Sequence, residues 1–282
     1  MKTVKLNNGV EMPILGLGVF KVSDPQECED SVCEAIKAGY RLIDTAAAYE
    51  NEEAVGRGIK KSGVDRQELF ITTKLWVQDT GYESTKAAFA KSLKKLQLDY
   101  LDLYLIHQPF GDIYGSWRAM EELYKEGKIK AIGVSNFYPD RLADLMVHNE
   151  IVPAVNQIET HPYWQQIEGQ QYLNENNIQI ESWSPFAQDN KIFDQDLLKS
   201  IAEKYKRSVA QIILRWLTQR DIVVIPKSVN KNRIIENLNI FDFELSAEDM
   251  EAIKTLDTGK TTVFDHHDPI RVKFLSGHRF NI

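Results

Sequence analysis

The chain has 282 residues, a formal net charge of −7 and a hydrophobic fraction of 43%, which suits one globular domain spanning 1–282 and argues against a nucleic-acid partner. No stretch is long and apolar enough to span a bilayer, and the N-terminal MKTVKLNNGVEMP has no apolar signal core, so neither membrane nor export is expected. Cys28 and Cys33 are the only cysteines and fall in one expected helix, which excludes a disulfide framework, points to a reducing cytoplasm and makes both small core residues.

In chain order, residues 3–15 place Asn8-Gly9 between two short alternating runs. Asn-Gly favours a two-residue hairpin turn, and a hairpin ahead of the main pattern could plug one end of a barrel. Leu15–Val19 reads as the first core strand. Gly16-Leu17-Gly18 invites a dinucleotide fingerprint, but that pattern needs Gly where Lys21 stands. Close backbone packing is the plainer reading. Asp24–Gly39 reads as a helix with Asp24 as cap, Pro25 in its first position and Gly39 as its stop. Cys28, Val32 and Ile36 share one face of it.

A strand at Leu42 is followed by a helix over Glu52–Ser62 that Gly63 ends. Phe70–Lys74 is the next strand, and Gly81–Leu96 a helix with Phe89, Leu93 and Leu96 inward. Leu101–His107 is nearly all apolar, as a strand buried on both faces should be. Helices over Gly115–Glu126, Pro139–Asn149 and Gln165–Glu175 alternate with strands at Ile129–Ser135, Ala154–Glu159 and Ile178–Trp183. After a helix near Gln195–Tyr205 and an additional one over Ser208–Arg220, the eighth strand is Ile222–Ile225. Helices at Lys231–Asn237 and Ser246–Thr255 follow. The tail Gly259–Ile282 has no clear periodicity and could cover a barrel mouth. Eight strand-helix units with no linker between them predict a (β/α)8 barrel with an N-terminal hairpin and additional helices. A doubly wound sheet is the alternative, but its Gly-rich first turn is missing.

Four functional groups sit at successive strand exits. Asp44 ends Leu42-Ile43, Tyr49 follows the small-residue turn Thr45–Ala48, Lys74 ends Phe70-Ile71-Thr72-Thr73, and His107 ends Leu101–Ile106. Strand exits of a parallel barrel share the face that holds the active site. Singly, such an Asp is usually a cap and such a Tyr usually packs. A Lys in an apolar setting needs a partner, and Asp44 is the candidate. Lys74 would stabilise a phenolate and lower the Tyr49 pKa, making Tyr49 a general acid near neutral pH. His107 could orient a substrate carbonyl. There is no Ser-His-Asp order, and the six histidines do not fall at metal-ligand spacing, so no metal is expected. A proton donor aimed at a carbonyl oxygen implies a separate source of hydride.

At this point the sequence strongly resembles the aldo-keto reductases. The resemblance rests on Leu15-Gly16-Leu17-Gly18, Asp44-Thr45-Ala46 with Tyr49 and Asn51-Glu52, and Thr73-Lys74-Leu75-Trp76. It continues through His107-Gln108-Pro109, Gly133-Val134-Ser135-Asn136-Phe137, Val155-Asn156-Gln157 and Ile225-Pro226-Lys227-Ser228. It implies a (β/α)8 barrel and a catalytic tetrad of Asp44, Tyr49, Lys74 and His107. It implies nicotinamide carboxamide contacts from Ser135, Asn136 and Gln157, stacking by Trp183, and further cofactor contacts from Ser184 and Phe186. It also implies 2′-phosphate and adenine contacts from Lys227, Ser228, Arg233 and Asn237, the helix start after Lys227 adding free N–H groups. Phe20, Trp76 and Phe110, with His107, would line the substrate pocket. Val19 stands where the family often has Thr, and Gln188-Asp189-Asn190 where it often has Gly.

The expected activity is NADPH-dependent reduction of a small aldehyde or ketone to an alcohol by a cytoplasmic monomer. Two other classes stay open. One is a channel-associated subunit that binds cofactor to sense or regulate. The other is a Schiff-base aldolase using Lys74, which a pairing with Asp44 would oppose.

Overall fold

The computed structural model describes residues 2–188 and 190–282; Asp189, in the loop that departs from the family pattern, lies outside the described residues. The chain opens with an antiparallel hairpin, β1 (Thr3–Lys5) and β2 (Glu11–Pro13). Its turn differs from the two-residue expectation. Leu6 N–H donates to Val10 O and Gly9 N–H to Leu6 O, so Asn7, Asn8 and Gly9 form a three-residue loop. Gly9 takes the left-handed position at φ 88°, and Asn7 and Asn8 donate to Pro153 O and Lys130 O beneath the barrel.

Eight parallel strands follow in sequence order. They are β3 (Gly16–Gly18), β4 (Leu42–Asp44), β5 (Phe70–Leu75), β6 (Leu101–Ile106), β7 (Ile129–Ser135), β8 (Val155–Glu159), β9 (Gln179–Trp183) and β10 (Val223–Val224). Parallel bridges from Leu15 to Val224 and Gly18 to Lys227 join the last strand to the first. Gly18 is there because a side chain would not fit. A Cβ on it would lie 2.7 Å from Ile225 O, which bears out the reading of close backbone packing.

Helices α1 (Pro25–Ala38), α2 (Glu52–Ser62), α3 (Tyr82–Leu96), α4 (Ile113–Lys125), α5 (Pro139–Val147) and α6 (Ile167–Glu175) return the chain between strands. α7 (Asp196–Tyr205) and α8 (Val209–Gln219) both precede β10, and α9 (Lys231–Leu238) and α10 (Ala247–Lys254) follow it. Asp24 caps α1 through Glu27 N–H and Gly39 ends it at φ 118°, as the sequence indicated. α4 starts two residues before the expected Gly115, because the Asp112 side chain accepts from Gly115 N–H and sets the first turn there. Cys28, Val32 and Ile36 are buried against the barrel's outer face.

The barrel interior has two layers. Its lower half is apolar: Leu6 and Met12 of the hairpin pack against Leu42, Phe70, Leu103, Ala131, Val155 and Val223. The hairpin therefore plugs the end where the strands begin. Toward the strand exits the inward positions become polar, with Asp44, Lys74, Gln157 and Glu181 all buried. The tail also departs from expectation. It contains a helix, α11 (Pro269–Gly277), capped by Asp268. No residue of α11 is fully buried, although Val272 and Leu275 pack against the cluster of Trp76 and Phe110; Ile270, Val272, Phe274 and Leu275 are spread around the helix, so no single apolar face gives a helical period to read. Its end covers the barrel mouth: Trp76 Nε1 donates to His278 O at 3.0 Å, and Phe280 N–H to Gln78 Oε1 at 2.9 Å. Among the described residues no helix is long and apolar enough to cross a membrane.

Candidate active site

The site is built from the exits of β4, β5 and β6. Asp44 is the last residue of β4 and pairs in register with Thr72, which places Lys74 one inward position further along β5. Lys74 Nζ donates to Asp44 Oδ1 at 2.6 Å, to Thr45 O at 2.9 Å and to Tyr49 Oη at 3.3 Å. Its side chain is 0% exposed and that of Asp44 2%. Tyr49 is delivered by a single 3₁₀ turn, Ala47–Tyr49, that Glu50 ends in the left-handed region at φ 54°. Thr45, Ala46, Ala47 and Ala48 are small enough to let this turn lie buried against the strand ends. His107 follows β6, tied to β5 by its N–H on Leu75 O at 3.0 Å. Its ring meets Tyr49 edge-on at 5.6 Å and Trp76 at 5.2 Å. The four strand-exit groups are thus brought together.

The electrostatics follow from burial. Burial pulls the Lys74 ammonium down, but Asp44, Tyr49 and Glu181 outweigh it and hold Lys74 above the usual lysine value. Burial, with Lys74 and His266 nearby, pushes His107 well below the usual imidazole value, so its ring is neutral. The Tyr49 phenol moves opposite to the sequence-based expectation. Burial raises it above 10, Lys74 lowers it as anticipated, and the Asp44 carboxylate raises it again. Lys74 acts in the expected sense and desolvation wins. A phenol in that state is protonated across the neutral range.

These groups floor a cavity of about 1090 Å³. Asp44, Tyr49 and His107 line it, whereas Lys74 lies beneath them. Ser135 and Asn136 at the end of β7, Gln157 of β8 and Trp183 of β9 form one wall. Ser135 Oγ donates to Gln157 O, Asn136 Nδ2 to His107 O, and Trp183 Nε1 to Asn136 Oδ1, at 2.9, 3.0 and 2.9 Å. Asn136 and Ser184 both hold left-handed backbone, φ 66° and 50°, where the chain turns out of β7 and β9; such strain collects at functional sites.

One arm of the cavity runs along Ser184, Phe186, Lys227, Ser228, Arg233 and Asn237. Lys227 and Arg233 form no salt bridge among the described residues, although Glu236 also faces this arm. The N-terminus of α9 offers less than expected: Asn230 Oδ1 accepts from the N–H groups of Asn232 and Arg233. Ser228 Oγ is part of the same turn, hydrogen-bonded to the backbone of Asn230.

The other arm is aromatic. Phe20 and Trp76 line it with Phe274, Leu275, His278 and Phe280 from the tail. Phe110 does not line the cavity. Its N–H donates to Gln108 O in a tight turn, and its ring packs among Ala48, Trp76 and Val77, beside His266. It backs the pocket wall instead of forming it. Among the described residues no cluster of His, Cys, Asp and Glu could hold a metal.

A model of the aldo/keto reductase family matches residues 14–258, covering every strand of the barrel and the four groups at its floor. This chain belongs to the aldo/keto reductase family. It is 59% identical over 256 residues to the glyoxal reductase of Bacillus subtilis, covering 90% of this chain and 92% of that protein. It is 47% identical over 261 residues to the methylglyoxal reductase DkgA of Escherichia coli, covering 91% and 94%. Among solved structures, an aldo/keto reductase from Brucella melitensis superposes with a TM-score of 0.88 at 50% identity, covering 91% of this chain and 99% of that one. A Bombyx mori aldo-keto reductase in complex with NADP gives 0.90 at 36% identity, covering 96% of both chains.

Two features of this reductase were not drawn from its sequence. The tail supplies Phe274, Leu275, His278 and Phe280 to the aromatic arm. Glu181 lies buried in the barrel interior, one strand from Gln157. Its signal was a lone carboxylate inside the strand Ile178–Trp183, on the same side as Trp183.

Removing the cation should move the phenol further in the direction burial already sets. Lys74→Met is expected to raise the Tyr49 pKa further, because the neighbouring charge that lowers it is gone. Titration of ¹³Cζ-tyrosine by NMR, with Tyr49→Phe to assign the resonance, measures it. An unchanged or lower value in Lys74→Met would remove Lys74 as the perturbing group.

Proposed function

We propose that this enzyme reduces the carbonyl group of small aldehydes and ketones with NADPH, and that Tyr49 is the general acid. The observation that carries this is the Tyr49 hydroxyl 3.3 Å from a fully buried ammonium, on the floor of an aromatic cavity beside a neutral His107. The residues suit the cofactor. Lys227 and Arg233 are two cations without a carboxylate partner among the described residues, and both line the cavity of about 1090 Å³. The wall of Ser135, Asn136 and Gln157 offers amide and hydroxyl groups at the other end. NADPH, when bound, supplies the hydride.

The chain's own residues supply the rest. A carbonyl carbon that takes up hydride leaves an alkoxide that needs a proton. Tyr49 Oη gives it, and the phenolate left behind is stabilised by Lys74. Asp44 keeps Lys74 charged and aimed. A neutral His107 can donate one N–H to the carbonyl oxygen and fix its orientation without placing a second positive charge beside Lys74. Trp76, Phe274 and Phe280 exclude water from the substrate end. A charged side chain, Lys21, borders this arm with its Nζ 5.3 Å from the Phe20 ring, and the rest of the arm is mainly aromatic, which suits small carbonyl compounds. The glyoxal and methylglyoxal reductases to which the chain is similar support small dicarbonyls among them. The aldolase reading needs a neutral, accessible amine. Lys74 is paired with Asp44 at 2.6 Å and lies below the cavity floor.

Tyr49→Phe is expected to lower methylglyoxal reduction by at least 10²–10⁴-fold, the usual worth of general acid catalysis, with NADPH affinity nearly unchanged. Steady-state rates and fluorescence titration measure the two. Near-normal turnover in Tyr49→Phe would falsify its role.

Arg233→Ala should separate the cofactors. A charge-assisted hydrogen bond contributes about 1.5–3 kcal/mol, so NADPH should bind about one to two decades more weakly and NADH almost as before. Fluorescence titration with each cofactor reads this directly. Equal losses for both, or a native protein that prefers NADH, would refute 2′-phosphate recognition at Lys227 and Arg233.

A further inference from the structure

The barrel interior holds one carboxyl group that the chemistry above does not use. Glu181 on β9 is 0% exposed and stands in register between Gln157 on β8 and Val223 on β10. Burying a carboxyl is costly without compensating partners, yet among the described residues only one of its oxygens has one. Oε2 accepts from Gln157 Nε2 at 2.9 Å, while Oε1 has no partner. The same Gln157 nitrogen donates to Asp44 Oδ2 at 2.9 Å.

An amide nitrogen carries two hydrogens and its oxygen carries none. Two carboxyl oxygens therefore take both of the hydrogens Gln157 has. The reverse orientation of the amide would press its carbonyl oxygen against the Asp44 carboxylate, which is paired with Lys74 and has no hydrogen to give. The nitrogen is thus held inward. The Gln157 oxygen accepts no hydrogen bond from the described residues, and Gln157 lines the cavity.

We propose that Glu181 is a positioning residue for the cofactor: with Asp44 it locks the Gln157 amide so that only an acceptor faces the cavity, matched to the N–H₂ donor of a nicotinamide carboxamide. This rests on the reading that the nicotinamide binds beside Gln157. The charge balance is consistent with it. Lys74 neutralises Asp44, and burial with the neighbouring Asp44 carboxylate pushes Glu181 up to about 8. Glu181 is then mostly uncharged near neutral pH, and the interior carries one cation and one anion. Asp44 alone could hold the amide by one hydrogen; Glu181 removes the freedom that remains.

The test uses a cofactor analogue that lacks the donor. In the 3-acetylpyridine analogue of NADP⁺ a methyl ketone replaces the carboxamide, so it has no N–H₂ to give. Tryptophan fluorescence titration would measure the Kd of NADP⁺ and of this analogue for the native enzyme, Glu181→Leu and Glu181→Gln. Losing one oriented hydrogen bond should weaken NADP⁺ about tenfold in Glu181→Leu. The analogue should change less than about twofold on the same scale. Glu181→Gln keeps an oxygen acceptor and should restore NADP⁺ to within about twofold of native. Equal weakening of both ligands in Glu181→Leu would mean a merely structural role and overturn the proposal. So would unchanged NADP⁺ binding in Glu181→Leu, or a Glu181→Gln variant that binds NADP⁺ as poorly as Glu181→Leu. If Glu181→Leu does not fold, Glu181→Gln still decides: near-native discrimination between the two ligands supports the proposal, and lost discrimination overturns it. A native chain that binds neither ligand would instead refute the cofactor reading itself.

Discussion

A lysine ammonium inside a barrel is the constraint on which the rest depends. Moving an ion of that size out of water costs several kcal/mol even after relaxation. Lys74 accordingly spends its donors on Asp44, Thr45 O and Tyr49. Asp44 in turn needs a second donor, which Gln157 provides, and Gln157 is held by Glu181. One chain of contacts therefore ties β4, β5, β8 and β9 at a single level. Removing one member of a buried pair typically costs about 3–5 kcal/mol, so the layer that serves chemistry is also a structural commitment. It is tolerable because the hairpin and the apolar lower layer seal the opposite end.

The same burial sets the protonation states. Desolvation keeps His107 neutral and raises the Tyr49 phenol, while Lys74 offsets part of that rise. The arrangement keeps a proton on the Tyr49 phenol and places the Lys74 ammonium 3.3 Å from its oxygen. The cavity above is divided by character, a cationic arm from β10 and α9 and an aromatic arm to which the tail contributes. The buried ionisable groups come from the strand exits and much of the cavity wall from the loops and tail, as barrels commonly arrange.

Much of this was legible in the sequence. The strand-exit residues Asp44, Lys74 and His107 each terminate an apolar run, and a barrel brings such positions to one face. The helix over Glu52–Ser62 and the strand over Ile129–Ser135 have the bounds their residues indicate. What escaped did so for physical reasons. The Asn8-Gly9 turn gained a residue because the loop's asparagines bond to the barrel base. α11 has no fully buried residue and its apolar side chains are spread around the helix, so no periodicity marks it. Phe110 has the composition of a pocket residue, but a local turn aims its ring behind the wall. Glu181 is an ordinary strand residue until closure of the barrel places it beside Gln157. The Tyr49 phenol shows that a charge partner alone does not fix the direction of a pKa; the desolvation that accompanies it must be weighed as well.

The central interaction is the Lys74 ammonium held by Asp44 in the buried barrel interior. Side-chain NMR of ¹³Cε- and ¹⁵Nζ-labelled lysine, with the Lys74 resonance assigned by Lys74→Met, measures its charge between pH 5 and 9. The Asp44 carboxylate, with Tyr49 and Glu181, outweighs the burial that opposes the ammonium and predicts a protonated Lys74 across that whole range. A resonance that titrates within it, or one that reports a neutral amine at pH 7, would contradict the central claim.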